Sequence, residues 1–167
     1  DWQVPWEKQV ETIADAVGKK DEGDKLIDDT EKAFEEFRHE HAELQDKSAA
    51  IVMPYDGKIG LYTKEDGRGQ FIEDLGMEIP DALQGDGGSF FVDIAPENYA
   101  KLNQVDYLFV LDYNGSSDVL KKDKTFQGLD LVKDGRVRYL DTDTGNAMSM
   151  PNPVTIPWAV DKFEEKL

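Results

Sequence analysis

Two periods of hydrophobic residues divide the chain into a helical first part and an alternating second part. In the first part apolar residues recur every three to four positions, which predicts a short helix ending at Gly18 and a longer one from about Asp21 to Leu44. Beyond these helices, apolar residues come in short runs separated by turn residues, as in strands joined by helices and loops. The pattern therefore predicts a helical segment over residues 1–47 and an α/β domain over residues 48–167.

Two apolar runs give the clearest strand signals. The run at residues 49–53 is continuous, as expected of a strand buried on both faces, and the run at residues 105–112 is the strongest in the chain. Asp56-Gly57 is typical of a tight hairpin turn, and Asp134-Gly135 predicts a second hairpin later in the chain. Residues 141–157 contain three of the seven prolines and show no periodicity, which predicts a long loop.

Helices are predicted between and after these runs. Gly67-Arg68-Gly69-Gln70 leads into a helix that ends at Gly76, Pro96 opens another that reaches about Leu102, and residues 158–167 form a terminal amphipathic helix. Strands that alternate with helices are typical of α/β proteins. The predicted fold is a three-layer α/β lobe in which helices flank a mainly parallel central sheet.

The charge balance excludes several classes of function. The chain has 167 residues, of which 36 are acidic and 19 are basic, so its formal net charge is −17. A surface this negative repels phosphate backbones and anionic lipid, which argues against a nucleic-acid partner and against attachment of the folded surface to a membrane. No apolar run approaches the ~20 residues of a membrane-spanning helix. The absence of cysteine excludes disulfides, thiolate metal sites and cysteine nucleophiles.

Few residues carry a catalytic or metal-binding pattern. His39 and His41 are two positions apart on a predicted helix and point in different directions, so they do not share a metal. The glycines around Arg68 could cradle an anion at a helix start or form an ordinary turn, and the residues leave both alternatives open. On residue type alone, Glu97 is best explained by compensation of a helix dipole. Tyr113 follows the strongest strand, where α/β sheets place their ligands.

The order and spacing of several segments resemble the C-terminal lobe of the periplasmic substrate-binding proteins that serve ABC transporters for ferric siderophores, haem and cobalamin. The similarity covers nearly the whole chain and is greatest to the ferric-siderophore branch. In this family two α/β lobes are joined by a long helix and hold the ligand between them. The resemblance implies that the N-terminal lobe is absent from this chain. The segments are Pro5–Gly18, Ile51–Tyr62, Gly69–Gly76, Ile94–Leu102, Val105–Val110, Val132–Val137 and Pro153–Leu167.

The resemblance also implies roles for individual residues. In this family an acidic residue at the start of the helix after a strand–proline turn docks onto arginines of the permease, and here that residue is Glu97. Ligand contacts come from strand ends and loops that face the cleft, and the guanidinium of Arg68 is a suitable partner for anionic ferric complexes. The matching ligand-binding positions are Tyr62, Thr63, Arg68, Tyr113, Asn114, Met148, Ser149 and Asn152.

Ligand, partner and location follow from the same resemblance. The transported ligand is expected to be a ferric siderophore that already fills the coordination sphere of its iron, so no cofactor, catalytic residue or protein ligand to the metal is expected. The expected partner is an ABC transporter permease. The expected location is extracytoplasmic, with any membrane attachment made through a lipid anchor outside this chain.

Three other functions stay open on the sequence. A lobe for haem or cobalamin would have the same fold, and a protein-interaction domain would bind no small ligand. An enzyme of flavodoxin-like shape would need carboxyl groups with shifted pKa values and would be favoured by a cofactor motif. The sequence offers no such motif, so a non-enzymatic binding lobe is the preferred hypothesis.

Overall fold

Five strands form one mixed sheet in the computed structural model, which describes residues 4–167. The strands are β1 Ala49–Tyr55, β2 Lys58–Tyr62, β3 Phe91–Ile94, β4 Tyr107–Asp112 and β5 Val137–Asp141. Their order across the sheet is β3-β2-β1-β4-β5. The pairs β1–β4 and β4–β5 are parallel, whereas β1–β2 and β2–β3 are antiparallel. The predicted α/β class is confirmed, and the sheet is parallel on one side and antiparallel on the other.

Helices precede the sheet and connect its strands. The α-helices are α1 Trp6–Ala16, α2 Lys20–Glu40, α3 Gly67–Asp74, α4 Asp118–Lys122, α5 Lys124–Gln127, α6 Asp130–Lys133, α7 Thr142–Ser149 and α8 Thr155–Glu164. Three 3₁₀ helices cover Ala42–Leu44, Asp81–Leu83 and Pro96–Gln104. The predicted helix to Leu44 therefore ends earlier, at Glu40, because His41 leaves the helical conformation with φ −115° and ψ 53°.

Aromatic side chains fill the core on one face of the sheet, here called the first core. Phe109 of β4 packs against Phe163 of α8 with ring centroids 4.5 Å apart, and Phe34 of α2 meets Phe71 of α3 edge to face at 5.4 Å. Trp6 of α1 is buried in the same cluster. Because α1 and α2 contribute to this core, the N-terminal helices pack as part of the fold, and a domain boundary at residue 47 stays a prediction.

The opposite face of the sheet carries the second core. Tyr99 of the 3₁₀ helix Pro96–Gln104 and Phe126 of α5 meet edge to face at 6.1 Å, and Leu131 of α6 and Val110 of β4 are buried with them. Helices therefore cover both faces of the sheet, which gives the predicted three-layer arrangement.

Two identical Asp-Gly dipeptides adopt different roles. Asp56 and Gly57 both have positive φ angles, 45° and 75°, and join β1 to β2 in the predicted hairpin. The hairpin predicted at Asp134-Gly135 is wrong, since the residues before it form α6 and β5 pairs in parallel with β4. Leu131 of this helical turn is completely buried in the second core.

The loop predicted over residues 141–157 is also wrong. The carboxylate of Asp141 accepts a hydrogen bond from the backbone N–H of Thr144 at 2.9 Å and caps α7. The side-chain oxygen of Asn152 accepts from the backbone N–H of Thr155 at 3.1 Å where α8 begins. Helix α7 has only eight residues, too few for its periodicity to be seen in the sequence, whereas α8 was predicted from residue 158 and begins three residues earlier, at Thr155.

Candidate functional site

A cleft of about 420 Å³ opens on the first-core side of the sheet. Strands β1 and β2 form its floor, the first turn of α3 and the end of α7 form its sides, and the residue after β4 reaches into it. The carboxyl ends of parallel strands are where α/β sheets place their ligands. The lining residues are Met53, Tyr62, Asp66, Arg68, Phe90, Phe91, Tyr113, Asn146 and Ser149.

Two glycines allow α3 to begin next to the cleft. A Cβ atom on Gly69 would lie 2.0 Å from the carbonyl oxygen of Thr63, and one on Gly67 would lie 3.0 Å from Cδ of Pro151. A side chain at position 69 is therefore excluded by backbone rather than by a movable group. The first approach holds the first turn of α3 against the loop that follows β2, and the second holds it against the segment between α7 and α8.

An ion pair forms at that first turn. The carboxylate of Asp66 accepts from Nε of Arg68 at 2.6 Å and from Nη2 at 2.8 Å, and it also accepts from the backbone N–H of Arg68 at 2.9 Å as the helix cap. Asp66 is completely buried and Arg68 is 9% exposed. The guanidinium carbon lies 3.6 Å from the ring centroid of Tyr62. The arginine head group is therefore fixed by a carboxylate and by an aromatic ring.

The local environment shifts the pKa values of Arg68 and Tyr62. Burial alone would lower the pKa of Arg68, but the hydrogen bonds and negative charge of Asp66 raise it above its ordinary value. Burial raises the pKa of the Tyr62 phenol, and the positive charge of Arg68 opposes that rise. At neutral pH the cleft therefore presents a charged guanidinium and a neutral phenol that can donate a hydrogen bond.

Aromatic rings form one wall of the cleft. A Cβ atom on Gly60 would lie 2.1 Å from Cε2 of Phe91, so the glycine of β2 makes room for this ring to lie across the strand. Phe91 packs against Tyr55 at 5.5 Å, Tyr62 at 6.1 Å and Phe90 at 6.0 Å between centroids. Phe90 remains 48% exposed. The wall therefore offers apolar surface to a ligand.

Tyr113 closes the side of the cleft that lies next to α7. A Cβ atom on Gly145 would lie 2.9 Å from the Tyr113 hydroxyl, so the ring rests directly on the backbone of α7. At the end of that helix the Ser149 hydroxyl donates to the carbonyl oxygen of Asn146 at 2.8 Å. The hydroxyl groups of Tyr113 and Ser149 are therefore held beside the aromatic wall.

The structure brings together four of the residues suggested as ligand contacts: Tyr62, Arg68, Tyr113 and Ser149 all line the cleft. Asn152 lies in an adjoining cavity of about 460 Å³, which shares Ser149 with the cleft.

Three of the suggested contacts lie elsewhere. Met148 is completely buried in the first core, because it lies on the side of α7 that faces the sheet. Thr63 is 1% exposed, and its hydroxyl donates to the carbonyl oxygen of Ser89 at 2.6 Å. Asn114 is exposed in a turn with φ 52°, outside the cleft lining. Met148 and Thr63 therefore pack inside the protein, and their assignment as ligand contacts stays a prediction.

Arg68 lines the cleft and is paired with Asp66, and its role as a partner for anionic ferric complexes stays a prediction. The sequence did not reveal that Asp66 is its partner, because that pairing depends on where the loop after β2 turns into α3. Other lining residues missing from the sequence prediction are Met53, Phe90, Phe91 and Asn146. The adjacent aromatics at positions 90 and 91 gave a usable signal, since alternation along an extended segment directs at least one of two neighbouring side chains to each side.

Glu97, the suggested docking residue, is exposed in the first turn of the 3₁₀ helix Pro96–Gln104. That helix packs on the second core through Tyr99 and Leu102, so it lies on the other face of the sheet from the cleft. A partner could reach this carboxylate while the cleft is occupied.

Metal-binding clusters and membrane-spanning helices are absent from residues 4–167. No group of three or more His, Cys, Asp or Glu side chains in this range is arranged to hold a metal ion. No helix in the same range is both long enough and apolar enough to cross a bilayer.

Comparison with known proteins gives a family and several similar structures. The family model described as periplasmic binding protein matches residues 2–144. The iron uptake ABC transporter substrate-binding protein PiaA from Streptococcus pneumoniae TIGR4 is 26% identical, with a TM-score of 0.80 over 98% of this chain and 58% of that one. PiaA in complex with ferrichrome gives 25% identity and a TM-score of 0.81 over 98% and 57% of the two chains. No curated protein gives a significant match.

SirA from Staphylococcus aureus is 20% identical, with a TM-score of 0.75 over 100% of this chain and 66% of that one. At this identity the likeness concerns the fold alone. The chain covers 58% and 57% of the two PiaA chains and therefore spans a little over half of their length.

Proposed function

Since the chain belongs to the periplasmic binding protein family, we propose that it is the C-terminal lobe of the extracytoplasmic substrate-binding component of a ferric-siderophore ABC uptake system. The observation that carries the proposal is the cleft lined by Tyr62, Arg68 and Tyr113 and by the aromatic wall. The two PiaA structures support this choice of ligand, one described as an iron uptake protein and the other bound to ferrichrome.

The cleft suits a ligand that carries its own metal. Aromatic faces and the Met53 side chain offer apolar contact to the organic shell of a siderophore, and Tyr62 and Arg68 offer N–H and O–H donors to its oxygen atoms. Among residues 4–167, Asp66 is the one carboxylate in the lining, and it is already engaged by Arg68. The cleft therefore supplies recognition of a preformed ferric complex rather than ligands to iron.

The proposed ligand contacts are Tyr62, Arg68, Tyr113 and Ser149, with Asn114 and Asn152 near the rim. Glu97 is proposed to dock onto arginines of the permease. Its exposure on the face away from the cleft supports this role, because docking and ligand binding would then use different surfaces. A carboxylate pairs well with guanidinium groups through charge-assisted hydrogen bonds.

The proposal is tested by tryptophan fluorescence titration of the complete protein with ferrichrome, a ferric tris-catecholate, haem and cobalamin. Trp158 is a suitable reporter, because it lines a cavity that shares Asn146 with the cleft. Saturable quenching by a ferric siderophore, and weaker binding of the iron-free form, would support the proposal. If haem or cobalamin binds and no ferric siderophore does, the proposed ligand changes to haem or cobalamin. If the folded protein binds none of these compounds, a protein-interaction domain is favoured.

The cleft residues are tested with Tyr113→Ala. Removing this half-buried ring is expected to weaken siderophore binding at least tenfold, since aromatic contacts dominate such sites. Val119→Ala on α4 is the matched control, because Val119 is exposed outside the cleft lining. Unchanged affinity in the Tyr113 variant would remove this residue from the site.

A further inference from the structure

The turn that follows β4 presents an asparagine and a glycine side by side at the surface. The backbone N–H of Ser116 donates to the carbonyl oxygen of Tyr113 at 3.1 Å and closes a four-residue turn. Its two central residues, Asn114 and Gly115, have φ angles of 52° and 85°, and positive φ at both positions is typical of a type I′ turn. Both residues are exposed, so the Asn-Gly pair is in contact with solvent and lies outside helices and strands.

The side-chain amide of Asn114 and the backbone nitrogen of Gly115 are both unprotected. Within residues 4–167, neither group has a hydrogen-bond partner. The backbone N–H of Asn114 donates to Oγ1 of Thr142 at 3.1 Å, which fixes the residue but leaves its side chain unengaged. A Cβ atom on Gly115 would meet no heavy atom within 4 Å beyond its chain neighbours. Nothing therefore obstructs a reaction between the two groups.

The reaction that this pair supports is closure of a succinimide ring. The nitrogen of Gly115 attacks Cγ of Asn114, a new N–Cγ bond forms, and the Cγ–Nδ2 bond breaks. Ammonia leaves and carries away the proton of the Gly115 N–H. Water then opens the ring on one of two sides: cleavage of the N–Cγ bond gives aspartate, and cleavage of the original peptide bond gives isoaspartate. Water is the one added reactant, and nothing is oxidised or reduced.

We propose that Asn114 is a site of spontaneous deamidation and isomerisation in the folded protein. Of the five asparagines in the chain, it is the one followed by glycine. Asn98 and Asn146 lie inside helices, and the side-chain oxygen of Asn103 accepts a backbone N–H of α6 at 3.1 Å. Asn152 precedes a proline, which has no N–H with which to form the ring. The reaction is therefore selective for Asn114.

The isoaspartyl product changes the turn beside the cleft. Its main chain runs through Cβ and Cγ of residue 114 and is one carbon atom longer. Two hydrogen bonds close the present turn, since the N–H of Ser116 donates to the Tyr113 carbonyl oxygen and the N–H of Tyr113 donates to Oγ of Ser116 at 3.0 Å. We expect the longer chain to break this pair of bonds and to displace Tyr113, which lines the cleft.

The test is incubation of the complete protein at mildly alkaline pH, in buffer and in urea, followed by digestion and mass spectrometry of the peptides. Deamidation changes the mass of a peptide, whereas isomerisation at an Asp-Gly pair does not. In buffer, the peptide with Asn114 is expected to deamidate at least tenfold faster than the peptides with the other four asparagines. Asn114→Gln is expected to abolish this reaction, because the longer side chain closes its ring far more slowly.

Asn98→Gln is the matched control and is expected to leave the rate at Asn114 unchanged. Circular dichroism of both variants checks the fold. Deamidation of Asn114 in urea but not in buffer would overturn the proposal, because the fold would then protect the residue. Equal rates at all five asparagines in buffer would overturn the selectivity.

The effect on the turn is measured by amide hydrogen exchange of Ser116 in the separated isoaspartyl form. Exchange is expected to be at least tenfold faster than in the unmodified protein, because the hydrogen bond to the Tyr113 carbonyl is lost. Unchanged exchange would overturn the effect on the turn while leaving the modification site in place. None of these measurements uses a ligand, so their outcome is independent of the proposed function.

Discussion

Replacing Asp74 with asparagine is expected to stabilise the protein at neutral and alkaline pH. Asp74 is the last residue of α3 and is partly buried, at the end of the helix where the macrodipole disfavours a negative charge. Burial, together with the negative charges of Glu7 and Glu31, raises its pKa from 3.8 to about 7, and this rise exceeds the opposing effect of Arg38. Glu73 adds a smaller repulsion.

The sign follows from the order in which the two states ionise. Below pH 3.8 the Asp74 carboxyl is protonated in the folded and unfolded states, and its full contribution to stability is present. As the pH rises towards about 7, the unfolded chain loses this proton first, so the folded state loses stability until its own carboxyl ionises. The rise in pKa corresponds to a loss of about 4 kcal/mol in the free energy of unfolding. Because the Asp74 carboxyl is partly in contact with solvent, the expected loss is about 2–4 kcal/mol.

The assay is urea unfolding of the wild type and Asp74→Asn between pH 4 and pH 8. The variant is expected to gain about 2–4 kcal/mol over the wild type at pH 8 and little at pH 4. Asp161→Asn on the exposed side of α8 is the control for the loss of one negative charge in a strongly acidic protein. Parallel stability curves for the wild type and Asp74→Asn across this range would refute the reasoning.

Three further substitutions probe separate parts of the structure. Gly69→Ala places a Cβ atom against the carbonyl oxygen of Thr63 and is expected to lower the free energy of unfolding by about 1–3 kcal/mol, measured by urea denaturation; unchanged stability would contradict this packing. Met148→Ala is expected to cost about 2–5 kcal/mol and to leave the affinity for ferrichrome unchanged, whereas a selective loss of affinity would return Met148 to the site. Glu97→Arg in the complete protein is expected to abolish siderophore uptake by cells without changing ligand affinity. Glu165→Arg, which changes another exposed acidic residue, is expected to have little effect on uptake. Normal uptake with Glu97→Arg would exclude the docking role.

Local turn chemistry explains which parts of the fold could be predicted. The Asp56-Gly57 hairpin was predictable because both residues adopt positive φ angles that few other residues tolerate. Asp134-Gly135 has the same composition, and Gly135 also has a positive φ of 69°, yet it ends α6 instead of joining antiparallel strands. The difference lies in distant partners, because β5 pairs in parallel with β4, and no local pattern reports that choice.

The strand pattern located the part of the site that lies at the end of a strand. Tyr62 ends β2 and Tyr113 follows β4, so the strand pattern located both near a sheet edge. Met148 was misplaced because α7 was read as a loop, and a residue in a loop has no defined inner face. Phe91 depends on Gly60 of the neighbouring strand to make room for its ring, which is a property of strand pairing and cannot be read from either segment alone.

Asp66 connects the start of a helix to the chemistry of the cleft. Its backbone and side chain begin α3, and the same carboxylate fixes the guanidinium of Arg68. Helix capping requires only a side-chain oxygen, which Ser, Thr or Asn would supply without a charge. Burying a carboxylate is costly unless a cation and hydrogen bonds accompany it, and here Arg68 supplies both. The cap therefore explains the oxygen at position 66, whereas its negative charge is explained by the arginine that it holds in the cleft.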